Sequence, residues 1–130
     1  MKRRAALLAL LALAVTRPAG AAEEKKKAGG LTYIQINTLT GTTNRGGGRR
    51  GVLTVECGID VADDKLRDYA NKSLPRLRAV YVQTVQTYAA GLPAGSLPSV
   101  EFIGRELQRQ TDQVLGRPGA RLLLGAVLVN

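Results

Sequence analysis

The stretch Val52-Leu53-Thr54-Val55-Glu56-Cys57-Gly58-Ile59-Asp60-Val61, followed at once by Ala62-Asp63-Asp64, decides the fold of this chain. Leu53, Val55, Cys57, Ile59 and Val61 alternate with Thr54, Glu56, Gly58 and Asp60, the period-two pattern of a strand that buries one face and wets the other. Asp63 then marks a helix start. Its carboxylate can accept the free N–H groups of a first turn, and Asp64 suits the positive end of the helix dipole.

Upstream, Thr, Tyr and Ile dominate from Leu31 to Asn37, which predicts a first strand. Between the two strands, Gly41 to Gly51 (GTTNRGGGRRG) holds five glycines and no apolar residue. That composition predicts a long mobile loop rather than a tight two-residue turn. Downstream, Leu66, Tyr69 and Ala70 give the helix after Asp63 an apolar side, and Pro75 should kink or restart it. Leu74, Leu77, Tyr81, Val85 and Tyr88 then recur at three- and four-residue steps, a stripe that faces the core, until Gly91 closes the helix. Ser99 predicts the cap of another helix, with Val100, Ile103, Leu107 and Val114 inward and with Gly116 and Pro118 as its stop. Arg121 to Asn130 (RLLLGAVLVN) places apolar residues on both faces, the mark of a central strand. The order strand, strand, helix, helix, helix, strand predicts an α+β domain, a small β-sheet packed with two or three helices.

The chain opens with a secretory pattern: Lys2, Arg3 and Arg4, then the apolar run Ala5 to Val15, then the small residues Ala19 to Ala22. A helix over that run is about 16 Å long, roughly half the hydrocarbon thickness of a bilayer, and Arg17 with Pro18 blocks its extension. We therefore expect a signal peptide over 1–22, a charged tether over 23–30 containing Lys25, Lys26 and Lys27, and one domain over 31–130 exported to the periplasm. An uncleaved signal would instead hold it at the inner membrane. The formal charge of +9 falls on cleavage: Lys2, Arg3, Arg4 and Arg17 leave, so 15 basic residues stand against 10 acidic ones, a net +5.

With no histidine in the chain, neither a Ser-His-Asp nor a Cys-His site can be built, and the commonest transition-metal ligand is lost. The single cysteine, Cys57, falls on the apolar face of its strand, where packing rather than nucleophilic chemistry is expected. Asp60, Asp63, Asp64 and Asp68 form an acidic group whose spacing fits no calcium loop, and capping accounts for Asp63 and Asp64. The sequence thus predicts a protein that is not an enzyme, with no cofactor and no metal. Two candidate surfaces remain. Arg45, Arg49 and Arg50, flanked by glycines, suit an anionic ligand such as peptidoglycan or lipid head groups. The compartment and the want of stacking aromatics nearby argue against nucleic acid. After Pro75, apolar residues surround more of the helix than one face needs, and Arg76, Arg78, Tyr81 and Val82 are the candidates for contact with a partner.

Taken in order, these features resemble the periplasmic domain of the flagellar basal-body-associated FliL proteins. The matching elements are the early strand through Ile36, Asn37, Thr38 and Leu39, the strand Val52 to Val61, the Asp63-Asp64-Lys65-Leu66 helix start and Leu74-Pro75-Arg76-Leu77-Arg78 before an apolar helix. A late helix ending at Val114-Leu115-Gly116 and a closing strand through Val127 to Asn130 complete them. The resemblance implies a non-catalytic domain similar to those of stomatin-like proteins. Such domains assemble side by side, as partial or complete rings around the periplasmic part of the flagellar stator, and support torque or surface motility. Two features depart from the family: its members usually keep an uncleaved membrane helix, and the GTTNRGGGRRG segment is longer than their common turn.

Overall fold

The alternating segment is the middle strand of a three-stranded antiparallel sheet in order β1-β2-β3, formed by β1 (Tyr33–Gly46), β2 (Arg49–Val61) and β3 (Ala120–Val129). Between β2 and β3 run three helices, α1 (Asp64–Lys72), α2 (Leu74–Gly91) and α3 (Val100–Leu115). The computed structural model describes residues 30–130. The expected signal segment and all of the tether but Gly30 lie outside the described residues. Within them, Thr32–Asn130 packs as one unit with the predicted α+β architecture.

Leu53, Val55, Cys57, Ile59 and Val61 are all buried and form the floor of the core. α2 lies across β1 and α3 against β3, so the helices cover this face. Glu56, Thr40 and Thr42 stay on the outer face, as alternation requires. Asp63 caps α1 as expected, its Oδ2 accepting from the Leu66 N–H at 2.8 Å, and Ser99 Oγ accepts from the Phe102 N–H at 3.2 Å. α1 ends at Lys72 and α2 begins one residue before Pro75, a restart that spares the helix a missing donor in its interior. Gly116, at φ 78°, closes α3 in the left-handed conformation that glycine adopts without steric cost.

Three expectations need correction. Gly41 to Gly51 is not a long mobile loop. β1 and β2 continue through it to the pair Gly46 and Arg49, leaving a two-residue turn at Gly47 and Gly48. Both turn residues have positive φ, 60° and 78°, the backbone a tight hairpin requires. Gly46 also takes positive φ, 92°, whereas Gly41 and Gly51 serve close approach rather than mobility. Gly41 faces α2 so closely that a Cβ there would lie 2.8 Å from Ala89 Cβ and 2.9 Å from the Val85 carbonyl oxygen.

Second, Arg121 to Asn130 forms an edge strand, paired with β2 alone among the described strands. Its two-faced apolar pattern has a local cause. The register jumps between Val55/Val127 and Cys57/Leu124, so Gly125 and Ala126 together oppose Glu56. This bulge switches the facing parity: Leu122 and Leu124 before it and Val127 after it all pack on the core. β1 has a matching bulge at the same rung, where Asn37 and Thr38 oppose Glu56, and so Ile36 and Leu39 both point inward.

Third, the inner stripe of α3 is Ile103, Leu107, Thr111 and Leu115, while Val100 is exposed and Val114 only partly buried. On α1, Leu66 and Ala70 are buried but Tyr69 is exposed.

Candidate functional site

The residues proposed for partner contact divide between the core and internal braces. Tyr81 has no exposed surface. Its hydroxyl is hydrogen-bonded to Thr111 Oγ1, which in turn donates to the Leu107 carbonyl at 2.7 Å, so this pair of buried hydroxyls is fully satisfied. Burial pushes the Tyr81 phenol up to about 12. Tyr81 is a core residue joining α2 to α3 and is withdrawn as a contact candidate. The helical stripe through Leu77, Tyr81 and Val85 already contained this answer.

Val82 is half-buried against the core. Arg78 donates from Nη1 to the Asn37 carbonyl at 2.8 Å, covering a backbone acceptor that the β1 bulge leaves without a strand partner. Arg76 is exposed and spans three helices, donating to Tyr69 Oη at 3.0 Å, with longer approaches to Ser73 Oγ and the Val114 carbonyl. Both arginines therefore act first as struts of the fold.

On the opposite edge a side chain that sequence reading did not single out does similar work. Gln108 of α3 accepts from the Leu122 N–H at 2.8 Å and donates to the Ala120 carbonyl at 2.8 Å, closing the first rung of the free β3 edge. Beyond it the edge has no strand partner among the described residues. The Asn130 N–H donates to the Val52 carbonyl, so by alternation Val129 and Val127 direct their N–H and C=O groups away from β2. From Leu122 to Asn130 there is no charge and no proline, and Leu128 and Val129 are exposed. Such an edge is a template for another strand.

The acidic group is dispersed. Asp60 accepts from Thr32 Oγ1 at 2.5 Å, Asp64 pairs with Arg67 at 2.6 Å and Asp68 with Lys72 at 3.1 Å. Asp63 holds its cap and meets Arg117 at 3.1 Å; the Leu66 N–H, with lesser help from Arg117, lowers its pKa. Among the described residues no group of three or more Cys, Asp or Glu side chains is placed to hold a metal ion.

Cys57 is 2 % exposed, and burial raises its thiol to about 11, with only slight opposition from Arg78. A protonated, inaccessible thiol is a poor nucleophile. Native protein at pH 8 should resist iodoacetamide, and alkylation should track unfolding in denaturant. The linkage follows in sign. The folded pKa lies above the reference 9.0, so the stability tied to the protonated thiol is complete below about pH 9 and is lost as pH rises toward 11. Cys57→Ala should remove that part of the alkaline loss in melts across this range.

A depression of about 490 Å³ lies between the C-terminal half of α2 and the start of α3. Tyr88 and Phe102 stack across it with centroids 5.5 Å apart, and Leu92 and Pro93 close one end. Its only acidic side chain, Glu106, is bound to Arg109 at 2.6 Å, which holds its pKa below the ordinary value. A carboxylate so paired is disfavoured as a general acid or base near neutral pH.

Arg45, Arg49 and Arg50 sit at the hairpin end, all exposed and without an ion pair among the described residues. Arg45 and Arg49 line one depression with Thr43 and the Leu92 to Leu97 connector, while Arg50 stands opposite Asn44 in the β1–β2 register. Comparison with protein-family models finds none that matches this chain, and comparison with curated proteins finds no match either.

Proposed function

We propose that this chain is a non-catalytic, exported FliL-like protein that associates with the flagellar basal body or stator. On this reading it supports flagellum-dependent motility by binding protein and a second copy of itself. The observation that carries the reading is the open β3 edge, uncharged from Leu122 to Asn130 and with Leu128 and Val129 exposed beside it. Antiparallel addition of a second β3 across a two-fold axis would satisfy the outward N–H and C=O groups of Val127 and Val129 on both copies at once. The element order, with two strands, three helices and a closing strand, agrees with the domain plan that the resemblance implies. The residues offered for chemistry, Cys57 and the four aspartates, are engaged in packing, capping and surface pairs.

Val129→Pro removes one outward N–H and leaves the β2 ladder intact, a substitution tolerated on a strand edge. Full-length protein should sediment as a concentration-dependent dimer or larger assembly, and the proline variant should shift toward monomer with an unchanged melting temperature. Wild-type protein that stays monomeric at about 100 μM, a loose Kd by protein-association standards, would remove the self-assembly part of the proposal. For the motor part, a deletion strain should swim and swarm less well in viscous medium. Motility unchanged under load would count against it.

A further inference from the structure

The hairpin end carries a feature that self-assembly does not use. Thr43 is 3 % exposed, and its hydroxyl has no hydrogen-bond partner among the described residues. A buried hydroxyl without a partner is costly, and in a folded domain each such group calls for an explanation. This one lines a depression of about 350 Å³ together with Arg45 and Arg49. Beneath them is Gly51, paired with Thr43 in the strand register. A Cβ at that position would lie 2.3 Å from the Asn130 backbone oxygen and 2.8 Å from both Thr43 Oγ1 and Arg45 Cδ, so the glycine is what lets these groups draw together. No acidic side chain lines the depression, whose wall also includes Asn130, and neither arginine pairs with a carboxylate side chain among the described residues. Two guanidinium forks and one unspent hydroxyl donor form a receptor for an oxyanion.

The rim of the same depression is apolar. Leu97, the most exposed large hydrophobic residue described, Val129 and the exposed Pro93 line it, with Leu92 buried beneath. A free ion has no use for that surface, whereas a phosphate attached to acyl chains does. We infer that Arg45, Arg49 and Thr43 bind the phosphate of an anionic phospholipid headgroup, with Leu97 and Val129 turned to the apolar side of the membrane surface. The chain would thereby rest on the bilayer through its folded domain.

The test is a residue-resolved NMR titration of the full chain with three probes: dihexanoylphosphatidylglycerol, dihexanoylphosphatidylcholine and inorganic phosphate. The glycerol lipid should shift the amides of Thr43, Gly47, Gly48, Gly51 and Leu97, with the choline lipid and phosphate each at least about tenfold weaker, since one brings a cation to the arginines and the other lacks chains. Thr43→Val keeps the shape, removes the unpartnered hydroxyl and should melt no lower than wild type. It should bind about tenfold less tightly, the scale of one hydrogen bond to a charged group. Arg45→Gln and Arg49→Gln should each weaken binding similarly, and Arg121→Gln, the same charge change at the far end of β3, should not. Equal affinity for phosphate and the glycerol lipid would overturn the assignment to a lipid headgroup. Binding that survives Arg45→Gln and Arg49→Gln, or is untouched by Thr43→Val, would overturn the site itself.

Discussion

Replacing Tyr81 by alanine is expected to destabilise the domain by about 3–5 kcal/mol, the range for emptying a buried aromatic site. The ring is wholly buried where α2 meets α3, and truncation would also leave Thr111 Oγ1 without its tyrosine partner. Tyr81→Phe separates the two effects. The ring stays, Thr111 keeps its bond to the Leu107 carbonyl, and the loss should be about 1 kcal/mol, the net worth of one hydrogen bond. Urea unfolding of the three proteins measures both steps. Should Tyr81→Ala cost less than about 1 kcal/mol, the figure for an ordinary substitution, the side chain would not be the core residue described and a surface role would reopen.

Gly41→Val is expected to cost about 1–3 kcal/mol by overpacking, toward the upper end because one of the two nearest atoms is backbone. A Cβ there meets Ala89 Cβ at 2.8 Å and the Val85 carbonyl oxygen at 2.9 Å, and the carbonyl can yield only if α2 lifts from β1. In an open strand the same change would stabilise, since valine favours extended backbone. The sign of the effect therefore reports the strand-to-helix contact directly. Gly91→Ala is the matched control: nothing lies within 4 Å of its Cβ, and the variant should unfold at the wild-type urea concentration or slightly above.

Much of the fold was legible wherever a residue's role depends on its neighbours in the chain. The buried face of Val52 to Val61, the Asp63 and Ser99 caps, the restart at Pro75 and the glycine stop at Gly116 all follow from periodicity or from end groups that must find partners within a turn. The hairpin was misread because glycine has two opposite uses. Its tolerance of positive φ makes a tight turn at Gly47 and Gly48, and its missing side chain lets Gly41 and Gly51 pack closely. In sequence both resemble a mobile segment.

The candidate surfaces were less legible. The three arginines at the hairpin end were visible by composition, but the hydroxyl that accompanies Arg45 and Arg49 was not, since in sequence Thr43 is one more polar residue of a glycine-rich segment. Gln108 gave no signal at all: one amide on a helix shows its purpose only beside the strand edge that it closes.

By itself the sequence determined the kinds of element, most of their ends and which face of the middle strand turns inward, because these are settled by backbone sterics and by apolar spacing over a few residues. Only the tertiary structure decided that β2 rather than β3 lies in the centre, and that bulges at the Glu56 rung reverse the facing of the residues beyond them. It alone placed Tyr81 inside and left the outer edge of β3 without a strand partner among the described residues. Strand order and register depend on which distant surfaces fit together, and no pattern confined to one segment records that fit.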